Sequence, residues 1–192
     1  MNIGLEGLVI LSTILLVSYL GYSTLIDDKL EPVKSSIDNK EYLVQDKDDA
    51  KEAADLIAVI RQRLVILVEH LIRSYPPDDS RIKMLKDNFN PDSMKEGIDD
   101  SGYTSYSINK GEQIVLCLRT NNKLMDINTM MFVVLHELSH IATESIGHTP
   151  EFWDNFKWIL EESINIGIYQ KKDYNKEAVE YCGMTITSSP LE

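Results

Sequence analysis

Basic residues are scarce in this chain. Its 19 Lys and Arg face 31 Asp and Glu, a formal net charge of −12. A surface of that sign repels phosphate backbones. No Lys/Arg-rich stretch offsets it, since Arg61/Arg63 and Lys171/Lys172 are only pairs. Direct nucleic-acid binding is therefore not expected. Cysteine is scarcer still. Two residues, Cys117 and Cys182, exclude a disulfide-dense scaffold, and two cysteines alone do not say whether a bridge forms. Cys117 lies between Leu116 and Leu118 in a strand-like stretch, which reads as a buried free thiol. There is no internal repeat. A length of 192 residues suits one domain with a proper core and is too short for two large ones. Histidine is rare too, yet three of the four histidines fall within thirteen positions, in "FVVLHELSHIATESIGHTPEFW".

Charge is also missing from residues 7–26, "GLVILSTILLVSYLGYSTLI". As a helix, this run is about as long as the ~30 Å core of a bilayer. A buried core helix seldom lacks a polar face for so long. A cleaved signal peptide would want a basic n-region and an A-x-A-like site, and neither is present. The expectation is a membrane anchor over 1–26. Lys29, Lys34 and Lys40 follow it and no Lys or Arg precedes it, which points the main domain to the cytoplasmic side.

Residues 27–47 are polar, carry Pro32, Ser35 and Ser36, and read as a stalk. The remainder, 48–192, reads as one domain. Apolar residues recur at helical spacing from Asp48 to Ser74, and "YPPDD" ends that helix. His70 near its end reads as a surface or satisfied histidine. Residues 76–100 look irregular and acidic. Tyr103–Ile108 and Gln113–Arg119 have strand composition, with "NKG" as a hairpin turn between them. A long helix starts at Asp126 or Asn128 and runs through "INTMMFVVLHELSHIATES", with Gly147 at its end. Thr149 and Pro150 then suit the N-cap and first position of another helix.

His136 and His140 are four apart, so on a helix they point the same way, one turn apart. Two imidazoles so placed can share one tetrahedral Zn²⁺. Glu137 lies about 100° round from His136 and about 60° from His140. It sits beside the metal without binding it, where it can move a proton to and from a water. A catalytic zinc takes three protein ligands and keeps one position open. His148 is the best third ligand, since a turn at Gly147 can fold the chain back. The rivals are Glu144, Glu161 and Glu162. Tyr174 and Tyr181 are the candidates for an oxyanion donor.

The stretch "IVLCLRTNNKLMDINTMMFVVLHELSHIATESIGHTPEFW" resembles the metallopeptidase core of the WLM and SprT-like zincins. Those families show a strand reading L-x-L-R, a loop, a helix with H-E-L-x-H, a further histidine and an aromatic pair. The matching residues here are Leu116 to Arg119, His136 to His140, His148, and Phe152 with Trp153. The resemblance covers roughly residues 48–165. One departure is that seven residues separate His140 from His148, where the WLM pattern usually has five. The wording, including the "EYCGMTI" tail, also resembles H-E-x-x-H proteins of large DNA viruses.

The resemblance implies an α+β fold, a minimal zincin-like metallopeptidase domain of core helices and a small antiparallel sheet. It implies Zn²⁺ on His136, His140 and His148, with Glu137 as general base and acid. It also implies that the Ile114–Arg119 strand borders the cleft and takes a protein or peptide substrate by backbone pairing. Members of these families are linked with cutting proteins crosslinked to DNA. That role is not carried over to so acidic a chain. The expected activity is a membrane-anchored zinc metalloprotease. The alternative is a non-catalytic zinc-binding structural or virion membrane protein, with virion proteins as partners.

Overall fold

The computed structural model describes residues 29–98 and 104–192. The elements run β1 (Leu30–Lys34), β2 (Glu41–Gln45), α1 (Ala50–Ser74), α2 (Ser80–Asn88), β3 (Met94–Glu96), β4 (Tyr106–Ile108) and β5 (Gln113–Leu116). They continue with β6 (Arg119–Thr120), β7 (Lys123–Leu124), α3 (Ile127–Ile141), α4 (Pro150–Asn165), β8 (Val179–Tyr181) and β9 (Met184–Ile186). This is the expected α+β class.

α1 is the spine. Its buried stripe, Ala53, Ile57, Ile60, Leu64, Leu67 and Leu71, follows the helical spacing read from the sequence. α3 is buried almost all round, as a helix at the centre of a core must be. Its start is set by Asp126, whose carboxylate accepts from the Thr129 N–H at 2.9 Å and from the Thr129 hydroxyl at 2.6 Å. Burial opposes ionisation of Asp126, but those hydrogen bonds prevail and its pKa is lowered.

Several expectations are corrected. The stretch read as a stalk forms the antiparallel hairpin β1–β2, and Ser35 and Ser36 hydroxyls at its turn donate to Asp55 of α1 at 2.7 Å each. The stretch 76–100 contains α2 and β3. α3 ends at Ile141 with its cap at Ala142, several residues before Gly147. The sheet is mixed, in order β3-β5-β4. β4 pairs with β5 antiparallel, as the hairpin reading requires, but β3 pairs with β5 in parallel. The "NKG" turn needs its glycine. Gly111 has φ +113°, and a Cβ there would come within 2.6 Å of the Asn88 carbonyl.

The two cysteines are not free thiols, since Cys117 and Cys182 form a disulfide. The membrane localisation is corrected as well, and with it the cytoplasmic placement. Among the described residues no helix is long and apolar enough to cross a membrane. The stretch 7–26 that carried the expectation lies outside the described residues.

Arg119 closes the L-x-L-R signature, and its place is structural. Its side chain is buried and pairs with the buried Glu96 of β3 and with Asp49 at the head of α1, the latter at 2.6 Å. A buried arginine needs such partners. Glu96 also accepts from the Gln45 N–H at 2.8 Å, so the two ion pairs of Arg119 tie β2, β3, β6 and α1 together.

Candidate metal centre

On α3, His136 and His140 point from the buried helix toward solvent, each half-buried. Their Nε2 atoms are 3.2 Å apart. His148, from the loop after α3, brings its Nε2 to 3.0 Å from that of His136. The three histidines form a group that could hold a metal ion, with ligand atoms all within 4.8 Å of one another.

The first turns of α4 hold the imidazole planes. Phe152 stacks on His140 at 4.2 Å and meets His136 and His148 edge-on at 4.8 Å each. Trp153 stacks on His148 at 5.7 Å, and Phe156 meets His136 at 5.2 Å. The sequence places these rings by setting α4's start. Thr149 caps the helix, its hydroxyl accepting from the Phe152 N–H, and Pro150 opens it.

The loop between His140 and His148 is longer than the family pattern, and it is pinned from three sides. Lys110, from the β4–β5 turn, donates to the Thr143 and Glu144 carbonyls at 2.8 and 2.5 Å. Asn155 of α4 donates to the Thr143 hydroxyl at 3.0 Å. The Ser145 hydroxyl donates to Glu151 at 2.6 Å. Gly147, at φ +84°, turns the chain back to deliver His148. The histidines, Gly147 and Glu144 had signalled this region in the sequence. Lys110 was legible solely as part of a turn.

Electrostatics favour neutral imidazoles here. Burial, reinforced by the neighbouring histidines, pushes His136 down to about 3. Burial, then His148 and Lys110, pushes His140 down to about 4. A neutral imidazole is the ligand form. Glu137 is buried, and burial pushes its carboxyl up to about 7 against hydrogen bonds from the Ser107 side chain and main chain.

The carboxylate rivals are elsewhere. Glu144 is exposed and outside the histidine group, and Glu161 is exposed on α4. Glu162 is taken by His70 Nε2 and by the Tyr75 hydroxyl, each at 2.8 Å. That contact also accounts for the fourth histidine. Of the two tyrosines, Tyr174 packs its ring on Phe132 at 4.6 Å and does not itself line the cavity. Tyr181 lines the cavity. Its hydroxyl donates to the Cys117 carbonyl at 2.9 Å and lies 2.5 Å from the Ser105 hydroxyl.

A cavity of about 1000 Å³ opens over His136, Glu137, His140 and His148. Its walls correct the expectation for the cleft strand. β5 is enclosed between β3 and β4, so it offers no edge. The bordering strand is β4, and the C-terminal segment 184–188, which the sequence had left unread, also lines the cavity.

This fold and site define a WLM domain. The chain belongs to the WLM family, whose domain model matches residues 39–190. It is similar to "Uncharacterized protein R325" of Acanthamoeba polyphaga mimivirus, 36% identical over 83% of this chain and 84% of the relative. It is also similar to "Uncharacterized protein 136R" of Invertebrate iridescent virus 6, 27% identical over 72% of this chain and 80% of the relative. Among solved structures it is similar to Wss1 from Saccharomyces cerevisiae, with a TM-score of 0.46 and 19% identity over 64% of this chain and 85% of that one. The family match extends beyond 48–165 at both ends and takes in the C-terminal wall.

Proposed function

We propose that this chain is a zinc metallopeptidase, with His136, His140 and His148 as the metal ligands and Glu137 as the proton carrier. The observation that carries the reading is the convergence of three Nε2 atoms beside one buried glutamate on the floor of a large cavity. The donor set fits zinc. Bonds of about 2.0–2.1 Å in a tetrahedral site set neighbouring nitrogens roughly 3.3–3.4 Å apart, a few tenths beyond the spacings here. Zinc bound there supplies a Lewis acid and makes a water nucleophilic near neutral pH. Glu137 takes a proton from the attacking water at a carboxylate oxygen and passes it to the leaving amine nitrogen. Its burial suits it to hold a proton near pH 7. The substrate class is protein or peptide.

Elemental analysis of the full chain tests the ligand set. One zinc per chain is expected, lost in His148→Ala and kept in Glu144→Ala. A peptide-cleavage screen then tests the chemistry, with Glu137→Gln expected to lower kcat about 10²–10⁴-fold. Absence of zinc from the folded wild type would end the metallopeptidase reading. Zinc without cleavage would leave the non-catalytic zinc protein.

A further inference from the structure

His148 is delivered by the segment between the cap of α3 at Ala142 and the cap of α4 at Thr149. Burial does little to hold this segment, since Glu144, Ile146, Gly147 and His148 are all exposed. Polar contacts hold it instead. The Lys110 ammonium donates to the Thr143 and Glu144 carbonyls at 2.8 and 2.5 Å. The Glu151 carboxylate accepts from the Glu144 and Ser145 N–H groups at 3.3 Å each, and from the Ser145 hydroxyl at 2.6 Å. Glu144 is thus gripped by its C=O on a cation and by its N–H on an anion. The Ser145 hydroxyl also lies 2.6 Å from that of Thr149, the residue next to His148.

Each charge suits its place. The end of a helix carries negative partial charge on its unpaired carbonyls, and the start carries positive partial charge on its N–H groups. Lys110 sits just past the end of α3, and Glu151 sits in the first turn of α4. Hydrogen bonds with one charged partner are also stronger than neutral ones. Lys110 itself occupies a strained position. Asn109, Lys110 and Gly111 have φ of +46°, +53° and +113°, a region that glycine enters freely and asparagine on occasion. A lysine in the middle of that run is an outlier, and the two carbonyls its side chain holds give it a reason to be there.

We propose that Lys110 and Glu151 are positioning residues for the third ligand. Together they form one charge clamp, closed on residues 143–145, that sets how firmly His148 is held to the metal. This inference rests on the three-histidine reading of the site. It makes the β4–β5 turn, which lines the cavity at Asn109 and Lys110, part of the support of the metal centre.

Lys110 has two opposed effects on a bound cation, and their balance gives the test its sign. Its positive charge is felt at His140. By Coulomb's law alone, removing that charge should make Zn²⁺ bind more tightly. Opening the clamp should instead let Zn²⁺ go. Backbone strain gives a second sign. Asparagine at position 110 relaxes the turn, so the fold should not suffer while the metal site does.

The test is zinc release from the full-length, zinc-loaded protein into an excess of a chromophoric chelator, so that turnover plays no part. Lys110→Asn is expected to release zinc about tenfold faster than the wild type, the lower end of what outer supports of a metal site are worth. The same variant, metal-free, should unfold at the wild-type denaturant midpoint or above it. Lys110→Arg keeps the cation and should restore slow release. Glu151→Ala should speed release by a similar factor, and the double variant by less than the product, because residues that share a partner are not additive. Unchanged or slower release from Lys110→Asn would overturn the inference while leaving the three-histidine site intact. Faster release with a lowered midpoint would overturn it too, as would release from Lys110→Arg as fast as from Lys110→Asn. Full multiplication of the two effects would overturn the single clamp. A wild type that takes up no zinc would sink both the inference and the reading beneath it. The expected pattern in a protein that never cleaves would keep this inference and sink the peptidase reading.

Discussion

Helix α3 reaches the cleft with side chains buried on nearly every side, while the β8–β9 hairpin reaches it with two strands of three residues each. The helix wall is positioned by volume, with Met130, Leu135, Leu138 and Ile141 fully buried and the α4 aromatics locked against the histidines. The hairpin wall is positioned by point attachments. These are the Cys117–Cys182 bridge, the Tyr181 hydroxyl on the Cys117 carbonyl, and the Cys182 N–H on the Thr120 hydroxyl at 2.9 Å. A two-stranded hairpin alone is marginal in water. One side of the cleft therefore stands or falls with the core, and the other can be loosened without unfolding the molecule.

The sharpest way to break that contrast is Phe152→Ala. This ring is buried and touches all three imidazoles. Its removal should cost about 3–5 kcal/mol in denaturant unfolding and weaken zinc binding at the same time. Reduction, or the double change Cys117→Ala with Cys182→Ala, attacks the other wall. A closed loop of 65 residues is worth about 4 kcal/mol in the chain-entropy model. The expected signature differs from that of Phe152→Ala. Amide exchange should rise across 179–188 and KM for peptide should rise, while zinc content holds. Loss of zinc on reduction would show that the two walls are not separable.

Asp126→Ala should cost about 0.5–2 kcal/mol in global stability and leave hairpin exchange unchanged. Tyr181→Phe removes one hydroxyl from the hairpin's seat, for about 0.5–1.5 kcal/mol. It should move exchange in 179–188 more than it moves the global unfolding midpoint.

Acid offers the mildest comparison. The carboxyls of Asp49, Asp79 and Asp92 are held below the usual range chiefly by hydrogen bonds from Arg119, Arg81 and Lys40 respectively, each over an opposing burial cost. Their folded pKa values lie below the unfolded value of about 3.9. The stability they contribute is therefore present above that value and lost as pH falls through the folded ones. Asp49 and Asp79 cap the starts of α1 and α2, and Asp92 is also held by Arg61 of α1. Acid titration by circular dichroism should loosen the helices, and hairpin exchange should follow only with global unfolding.

The helix wall was also the legible one. His136 and His140 at helical spacing, Thr149 and Pro150 at a helix start, and "NKG" at a turn are local patterns, and local patterns survive in a sequence. The remainder depended on distant partners. β3 is three residues long and pairs in parallel with β5, too short for a periodic signal, so β5 read as an open edge. Cys117 sits between two buried leucines and read as a thiol, because its partner lies 65 residues away at a turn. Glu162 read as a rival ligand until His70, 92 residues distant, was seen to hold it. The Phe152–Trp153 pair was visible as a family feature, but its role in holding the imidazole planes appears only in the packing.

The Cys117–Cys182 bridge has a topological consequence. α3 and α4, and with them His136, Glu137, His140 and His148, all lie between the two cysteines in sequence. The bridge closes a covalent ring around the proposed machinery. One backbone cut anywhere in that ring leaves both pieces attached. The loop beside the cleft carries Ile146, 89% exposed. A chain nicked there would gain only the mass of one water, migrate as one band, and come apart in two only when a thiol is added.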